Sequence, residues 1–181
     1  MSATDHLASI VSDLAATVQC VREDEVAHLL DEIDAAGRVF VAGAGRSGTV
    51  VAAFANRLQH LGKPVSVVGE ITAPHTRPGD LLIVHSGSGA TATLVALAGV
   101  AKAQGVTVVL VTMHPESAIG RLADATVVLP DGAQACGAVA QPLATAFEQL
   151  SCLLYDAIVL ELMARWGETE ATMAARHANL E

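Results

Sequence analysis

Five short runs, RVFVAG, PVSVVG, LLIVHS, TVVLVT and ATVVLP, are apolar at almost every position, and they constrain this chain more than any other feature. A strand with one face in water alternates apolar and polar residues, whereas a strand covered on both faces reads as a continuous run. Segments of helical periodicity separate most of these runs. Parallel strands need such crossovers, so the pattern predicts an α/β fold: a three-layer αβα sandwich around a five-stranded parallel sheet.

Helical spacing also precedes the first run. Leu7, Ile10, Val11, Leu14 and Val18 mark a helix around residues 4 to 20, and Val26, Leu29, Leu30 and Ile33 a second at 24 to 36. Gly37 suits a left-handed cap for the second. Between the second and third strands ITAPHTRPGD carries Pro74, Pro78 and Gly79 without periodicity, which predicts a surface loop. A long helix from about Pro142 to Trp166 follows the loop DGAQACGAVAQ, and a short polar helix ends in RHANLE. Phe147, Leu150, Leu153, Leu154, Ile158, Val159, Leu162 and Met163 cover more than one stripe of the long helix. One sheet face cannot bury them all, so helix-mediated association between copies is expected. Without repeats or linkers, residues 1–181 are expected to form one domain: helices to 36, an α/β core over 37–141, then helices and tail over 142–181.

With 181 residues, 52% of them hydrophobic, the chain can bury one sizeable core but has no room for a second catalytic domain. A net charge of -9 and 3% aromatic content argue against nucleic acid as a partner, since phosphate backbones need clustered cations and single strands need stacking rings. Cys20, Cys136 and Cys152 are an odd set without C-x-x-C spacing, and the N-terminus has no signal-like pattern; a reducing cytoplasm is expected. The richest apolar run, SCLLYDAIVLELMARW, is broken by Asp156 and Glu161, so no membrane span is expected.

Two turns carry chemistry. After the first strand, Gly43, Gly45 and Gly48 fit G-x-G-x-x-G, and Glu70 stands where a ribose-binding acid would, so a nicotinamide oxidoreductase is one reading. After the third strand, the turn from Ser86 to Thr93 is rich in hydroxyls. Backbone N–H groups at Gly87 and Gly89, the hydroxyls of Ser86, Ser88 and Thr91, and a helix dipole together suit a phosphate; the plainer alternative is helix capping. A nicotinamide enzyme has no use for the second cradle, whereas a small phosphorylated metabolite lying across the sheet's carboxyl edge uses both turns.

GAGRSG at 43–48, RLQHLG at 57–62, VVGE at 67–70, GDLLI at 79–83 with SGSG at 86–89 and Thr91, ADATVVLP at 123–130, FEQ at 147–149 and RHANLE at 176–181 resemble the 6-phospho-3-hexuloisomerases of the sugar isomerase (SIS) domain family. The resemblance covers nearly all of the chain beyond the first helix. It implies a flavodoxin-like sheet, a homo-oligomer, expected to be a tetramer, and interconversion of D-arabino-hex-3-ulose 6-phosphate with fructose 6-phosphate in formaldehyde fixation by the ribulose monophosphate pathway.

That reaction removes the C2 proton, holds a 2,3-enediolate and returns a proton to C3, all within reach of one base. The resemblance implies Glu148 as that base, with His177 passing protons between substrate oxygens from a tail packed into a site, in its own or a neighbouring subunit. Arg46 is expected to hold substrate oxygens or the enediolate. Ser47 joins Ser86, Gly87, Ser88, Gly89 and Thr91 at the phosphate. His60 and Asn56, one turn apart on one helix, and Glu70 complete the candidate set. His75, His85 and His114 read as scattered loop residues without ligand spacing, so neither metal nor cofactor is expected. Two departures stand out: Ala90 replaces a frequent Glu or Thr, and Ala144 replaces the glycine of G-T-L-F-E or G-S-L-F-E, narrowing the backbone's approach to substrate. A non-catalytic phosphosugar-binding regulator and another sugar-phosphate aldose-ketose isomerase are the competing readings.

Overall fold

The computed structural model describes residues 1–130 and 141–180. Cys136, Glu181 and all of the loop after the fifth strand except Gln141 lie outside them. Helix α1 (Ala3–Val18) begins at a reciprocal cap, in which Asp5 N–H donates to Ser2 Oγ while the Asp5 carboxylate accepts from Ser2 N–H. Helix α2 (Glu23–Ala35) does not end as its glycine suggests. Ala36 turns straight into extended backbone, its N–H donating to Glu32 O, and Gly37 has no left-handed torsion. Gly37 instead approaches another loop, donating to Gly79 O at 3.0 Å.

Strand β1 (Val39–Gly43), helix α3 (Arg46–His60), β2 (Val65–Val67), β3 (Leu81–His85), α4 (Ala92–Ala103), β4 (Thr107–Thr112) and β5 (Ala125–Val128) follow, and α5 (Thr145–Trp166) and α6 (Glu170–Ala174) close the chain. All strand pairs are parallel, in the order β2-β1-β3-β4-β5. This is the flavodoxin-like order, as expected, and its crossover reverses direction between β1 and β3.

The apolar runs hide a regular alternation. Val39, Val41, Leu81, Ile83, Val109 and Val111 face one core with residues of α2, α3 and α5. Phe40, Ala42, Leu82, Val84, Val108 and Leu110 face a second core with α4 and Ile119. Nearly every position of the central strands β1, β3 and β4 therefore buries its side chain whichever way it points, worth about 1.5–3 kcal/mol for each large apolar residue, whereas β2 and β5 at the edges are mostly half-buried. Helix α3 lies unusually close to β1, because a Cβ at Gly43 would come within 2.8 Å of Gly48 Cα and one at Gly48 within 2.9 Å of Gly43 O. Two of the motif's three glycines thus serve strand–helix packing, and a methyl at either would force overpacking costing about 1–3 kcal/mol.

The surplus apolar residues of α5 are mostly buried within the chain, contrary to the expectation from their number. Phe147, Leu150, Leu154, Ile158, Val159 and Leu162 are buried and Met163 is half-buried, because α5 packs against α1, α2 and α3 rather than lying on a sheet alone. Leu153 and Leu160 remain exposed, as do Leu7 and Val11 of α1. Among the described residues no helix is long and apolar enough to cross a membrane.

Candidate active site

Loops at the carboxyl ends of β1 and β3 splay apart at the reversal point, where open parallel sheets bind ligands. A cavity of about 270 Å³ opens there, lined by Ser47 of α3, by His85, Ser86, Gly87, Ser88 and Thr91 around the end of β3, by Met113 and His114 after β4, and by Ala144, Phe147 and Glu148 at the start of α5. Glu148 and the hydroxyl-rich turn are 60 residues apart in sequence and share this one cavity.

The turn keeps much of its hydrogen-bonding capacity. Thr91 caps α4 by position, yet its side chain makes no capping bond, contrary to the plainer reading of that hydroxyl. The N–H groups of Gly87 and Ser88 have no acceptor among the described residues. Gly89 holds the turn in a left-handed conformation (φ 59°) where an added Cβ would collide with the Ser117 hydroxyl. Ser86 Oγ accepts from Gly89 N–H at 3.2 Å and Ser88 Oγ from Ala90 N–H at 3.3 Å, which leaves both hydroxyl protons to donate. Those protons, the two N–H groups without an acceptor among the described residues and the amino end of α4 converge, and that combination suits a phosphate.

Glu148 is half-buried and held by two donors from the first turn of α3. Arg46 Nε lies 2.7 Å from Oε2, and Ser47 Oγ donates to Oε1 at 3.2 Å. The amino end of α3, where the opening glycine motif would seat a pyrophosphate, thus already faces a carboxylate. Glu70, the presumptive ribose ligand, is exposed in a separate groove with Asn56 and Gln59. The dinucleotide reading fails on both counts.

Arg46 also donates to Leu143 O at 2.6 Å and Thr145 Oγ1 at 3.2 Å. It thereby clamps a strained corner, since Leu143 and Ala144 both have positive φ, 58° and 59°. Ala144 sits in the left-handed conformation that glycine alone adopts freely. That conformation costs an L-residue about 1–2 kcal/mol, and glycine's greater unfolded-state entropy offsets about 0.4–1. Ala144→Gly is therefore expected to raise stability by about 0.5–1 kcal/mol, read from the urea midpoint; a lower midpoint would exclude this backbone geometry.

Ser47, Ser86, Gly87, Ser88, Thr91 and Glu148 line one cavity; Arg46 reaches it through its contact with Glu148, and Gly89 shapes the turn without lining it. His60, Asn56, Glu70 and His177 do not line it. His177 stacks on His60 at the far end of α3, ring centroids 5.0 Å apart. Fourteen residues of helix separate that end from Arg46, about 21 Å. Arg176 docks the tail there, donating to His60 O at 3.0 Å and pairing with both oxygens of Glu168 at 2.8 and 2.9 Å. That pairing holds the Glu168 carboxyl down to about 2.

His85 and His114 went unrecognised as site residues. His85 belongs to no loop: it closes β3, fully buried, and burial pushes its imidazole down to about 4 against a partly opposing hydrogen bond to Ser47 O. The available signal was the alternation Leu81, Ile83, His85, which points the ring toward α3 and α5. Among the described residues no group of three or more His, Cys, Asp or Glu side chains could hold a metal.

A fold of this order with this cavity defines a class. The family model for the SIS domain matches residues 32–160, and the chain belongs to that family. Over its full length it is 39% identical to the whole 3-hexulose-6-phosphate isomerase of Bacillus subtilis. It is 40% identical to the enzyme of the same name from Methylomonas aminofaciens, covering 95% of this chain and 96% of that one. A solved structure of a hypothetical protein from Methanococcus jannaschii, from which a 3-hexulose-6-phosphate isomerase function was inferred, superposes with a TM-score of 0.86 at 28% identity, covering 98% of this chain and 99% of that one.

Proposed function

We propose that this protein is a 6-phospho-3-hexuloisomerase that interconverts D-arabino-hex-3-ulose 6-phosphate and fructose 6-phosphate through a 2,3-enediolate. The observation that carries this reading is a half-buried carboxylate, Glu148, on the wall of the same cavity as the hydroxyl-and-amide turn Ser86–Thr91. The full-length likeness to enzymes named for this reaction supports it.

In the proposed reaction the phosphate rests on Ser86–Thr91, and the open-chain sugar extends toward α5. Glu148 takes the proton from C2 and, after exchange with solvent, delivers one to C3, while the O2 hydroxyl proton passes to O3. Before substrate arrives, Arg46 and Ser47 hold the carboxylate in place; as the enediolate forms, the guanidinium is close enough to follow the developing charge. The hexulose substrate needs no ring-opening acid, because with O6 phosphorylated its O5 could close only a four-membered ring on C3. His177 of the same chain lies too far from Glu148 to act on the same carbon. Its proposed role in catalysis therefore requires the docked tail of a second copy, consistent with a tetramer.

Incubation with fructose 6-phosphate in deuterium oxide tests the reading. Selective loss of the C3 proton signal and the appearance of a second ketose carbonyl in the 13C spectrum are expected. Exchange at C1 would instead identify a 1,2-isomerase. Binding without exchange or a new carbonyl would leave a phosphosugar-binding regulator.

A further inference from the structure

His85 is the last residue of β3 and directly precedes the phosphate turn, yet its ring points the other way, into the interface of α3 and α5. Its Nδ1 lies 3.0 Å from Ser47 O, and its Nε2 2.9 Å from Ser151 Oγ. Phe147 and Tyr155 pack against the ring at 4.9 and 5.6 Å between centroids. A carbonyl only accepts, so Nδ1 carries the proton and the neutral ring's Nε2 accepts from Ser151. Ser151 has one proton, shared between Nε2 and Phe147 O at 2.7 Å. With both nitrogens engaged and no exposed surface, this imidazole cannot exchange protons with a substrate.

The two partners bracket the carboxylate. Ser47 donates its hydroxyl to Glu148, and Ser151 lies three residues after Glu148, on the next turn of α5. Leu81 and Ile83 fill the equivalent positions on the same face of β3, and an aliphatic side chain at 85 would avoid burying a polar ring. A buried imidazole with both partners on the segments that hold Glu148 has a positional consequence that packing alone does not supply.

We propose that His85 is a positioning residue: it ties the first turn of α3 at Ser47 to α5 at Ser151 and so sets where the Glu148 carboxylate meets the substrate. The role rests on the reading of Glu148 as the base. His85→Asn keeps a donor near Ser47 O and loses the reach to Ser151; Ser151→Ala breaks the same link from the other side with a smaller change.

For each variant, C3 exchange of fructose 6-phosphate is expected to lose about 10- to 100-fold in kcat, the scale of a carboxylate displaced by up to an ångström, while KM stays within about threefold because the phosphate turn is untouched. The double variant should be no slower than the worse single one, and neither change should slow Glu148→Gln further. Unchanged kcat with a raised KM, or with only a lowered melting temperature, would overturn the proposal and leave His85 a packing residue. Should His85→Asn fail to fold, Ser151→Ala alone decides.

A readout free of catalysis separates this role from the reaction itself. In a crystal structure of Ser151→Ala the Glu148 carboxylate is expected to be displaced from Ser47 Oγ relative to wild type, and an undisplaced carboxylate counts against positioning even in an active isomerase. Absence of exchange in the wild type together with a displaced carboxylate would remove the proposed reaction and keep the positional link.

Discussion

Glu148→Gln is expected to lower kcat for fructose 6-phosphate exchange by about 10³, within the range general-base catalysis contributes, with KM changed by no more than a few-fold. The substitution preserves shape. Ser47 still finds an acceptor in the amide oxygen, and Arg46, whose side chain is more than half exposed, loses an ion pair that water largely replaces. The loss is therefore one of basicity rather than of fold. The proposed phosphate turn lies on another loop, which is why binding should survive. Activity within twofold of wild type, followed by the C3 proton signal in deuterium oxide, would eliminate Glu148 as the base.

The second large effect is on stability in mild acid. The folded protein holds His85 neutral with a pKa near 4, against about 6.5 when unfolded. Between those values the unfolded chain binds a proton that the folded chain refuses, so stability falls as the pH drops through this window and is unaffected above it. The linkage amounts to about 2 kcal/mol between pH 7.5 and pH 5, approaching about 3 kcal/mol below pH 4.

Among the described residues no charged side chain contacts the ring: Ser47, Ser151, Phe147 and Tyr155 surround it, and Glu148 is held on the α3 side by Arg46. The carboxyls held low by their partners, Asp5, Asp24, Asp124 and Glu168, lose their contribution only as the pH falls below their unfolded values near 4. Urea midpoints at pH 7.5 and 5 thus isolate the imidazole. His85→Asn should flatten the difference between the two pH values whatever it does to stability at pH 7.5. An equal slope in the variant would place the ring in contact with water.

Much of the fold is legible without coordinates, because burying both faces of a parallel sheet demands continuous apolar runs and a close helix demands glycine at 43 and 48. The proposed phosphate turn is legible for the same local reason: glycines, hydroxyls and a helix start follow one another in the eight residues from Ser86 to Thr93. Other features depend on partners distant in sequence. Gly37 has the composition of a cap but is used for contact with Gly79. The α5 stripe reads as surplus until α1 and α2 are seen to cover it. His85 looks like part of a loop until pairing with Gly43 and Val111 extends β3 through it.

The sequence by itself determined the layers, the parallel sheet, the two glycine turns and, through motifs spread along the chain, the family. These are consequences of local periodicity and short-range backbone geometry. Only the tertiary structure decided that the amino end of α3 faces Glu148 rather than an open anion site, that Leu143 and Ala144 are strained beneath Arg46, and that His85 joins Ser47 to Ser151. It also placed His177 on His60, a helix length from the cavity. Each of those outcomes depends on which residues, about 40 to 115 positions apart, are brought within 3 to 5 Å, and no local pattern carries that distance.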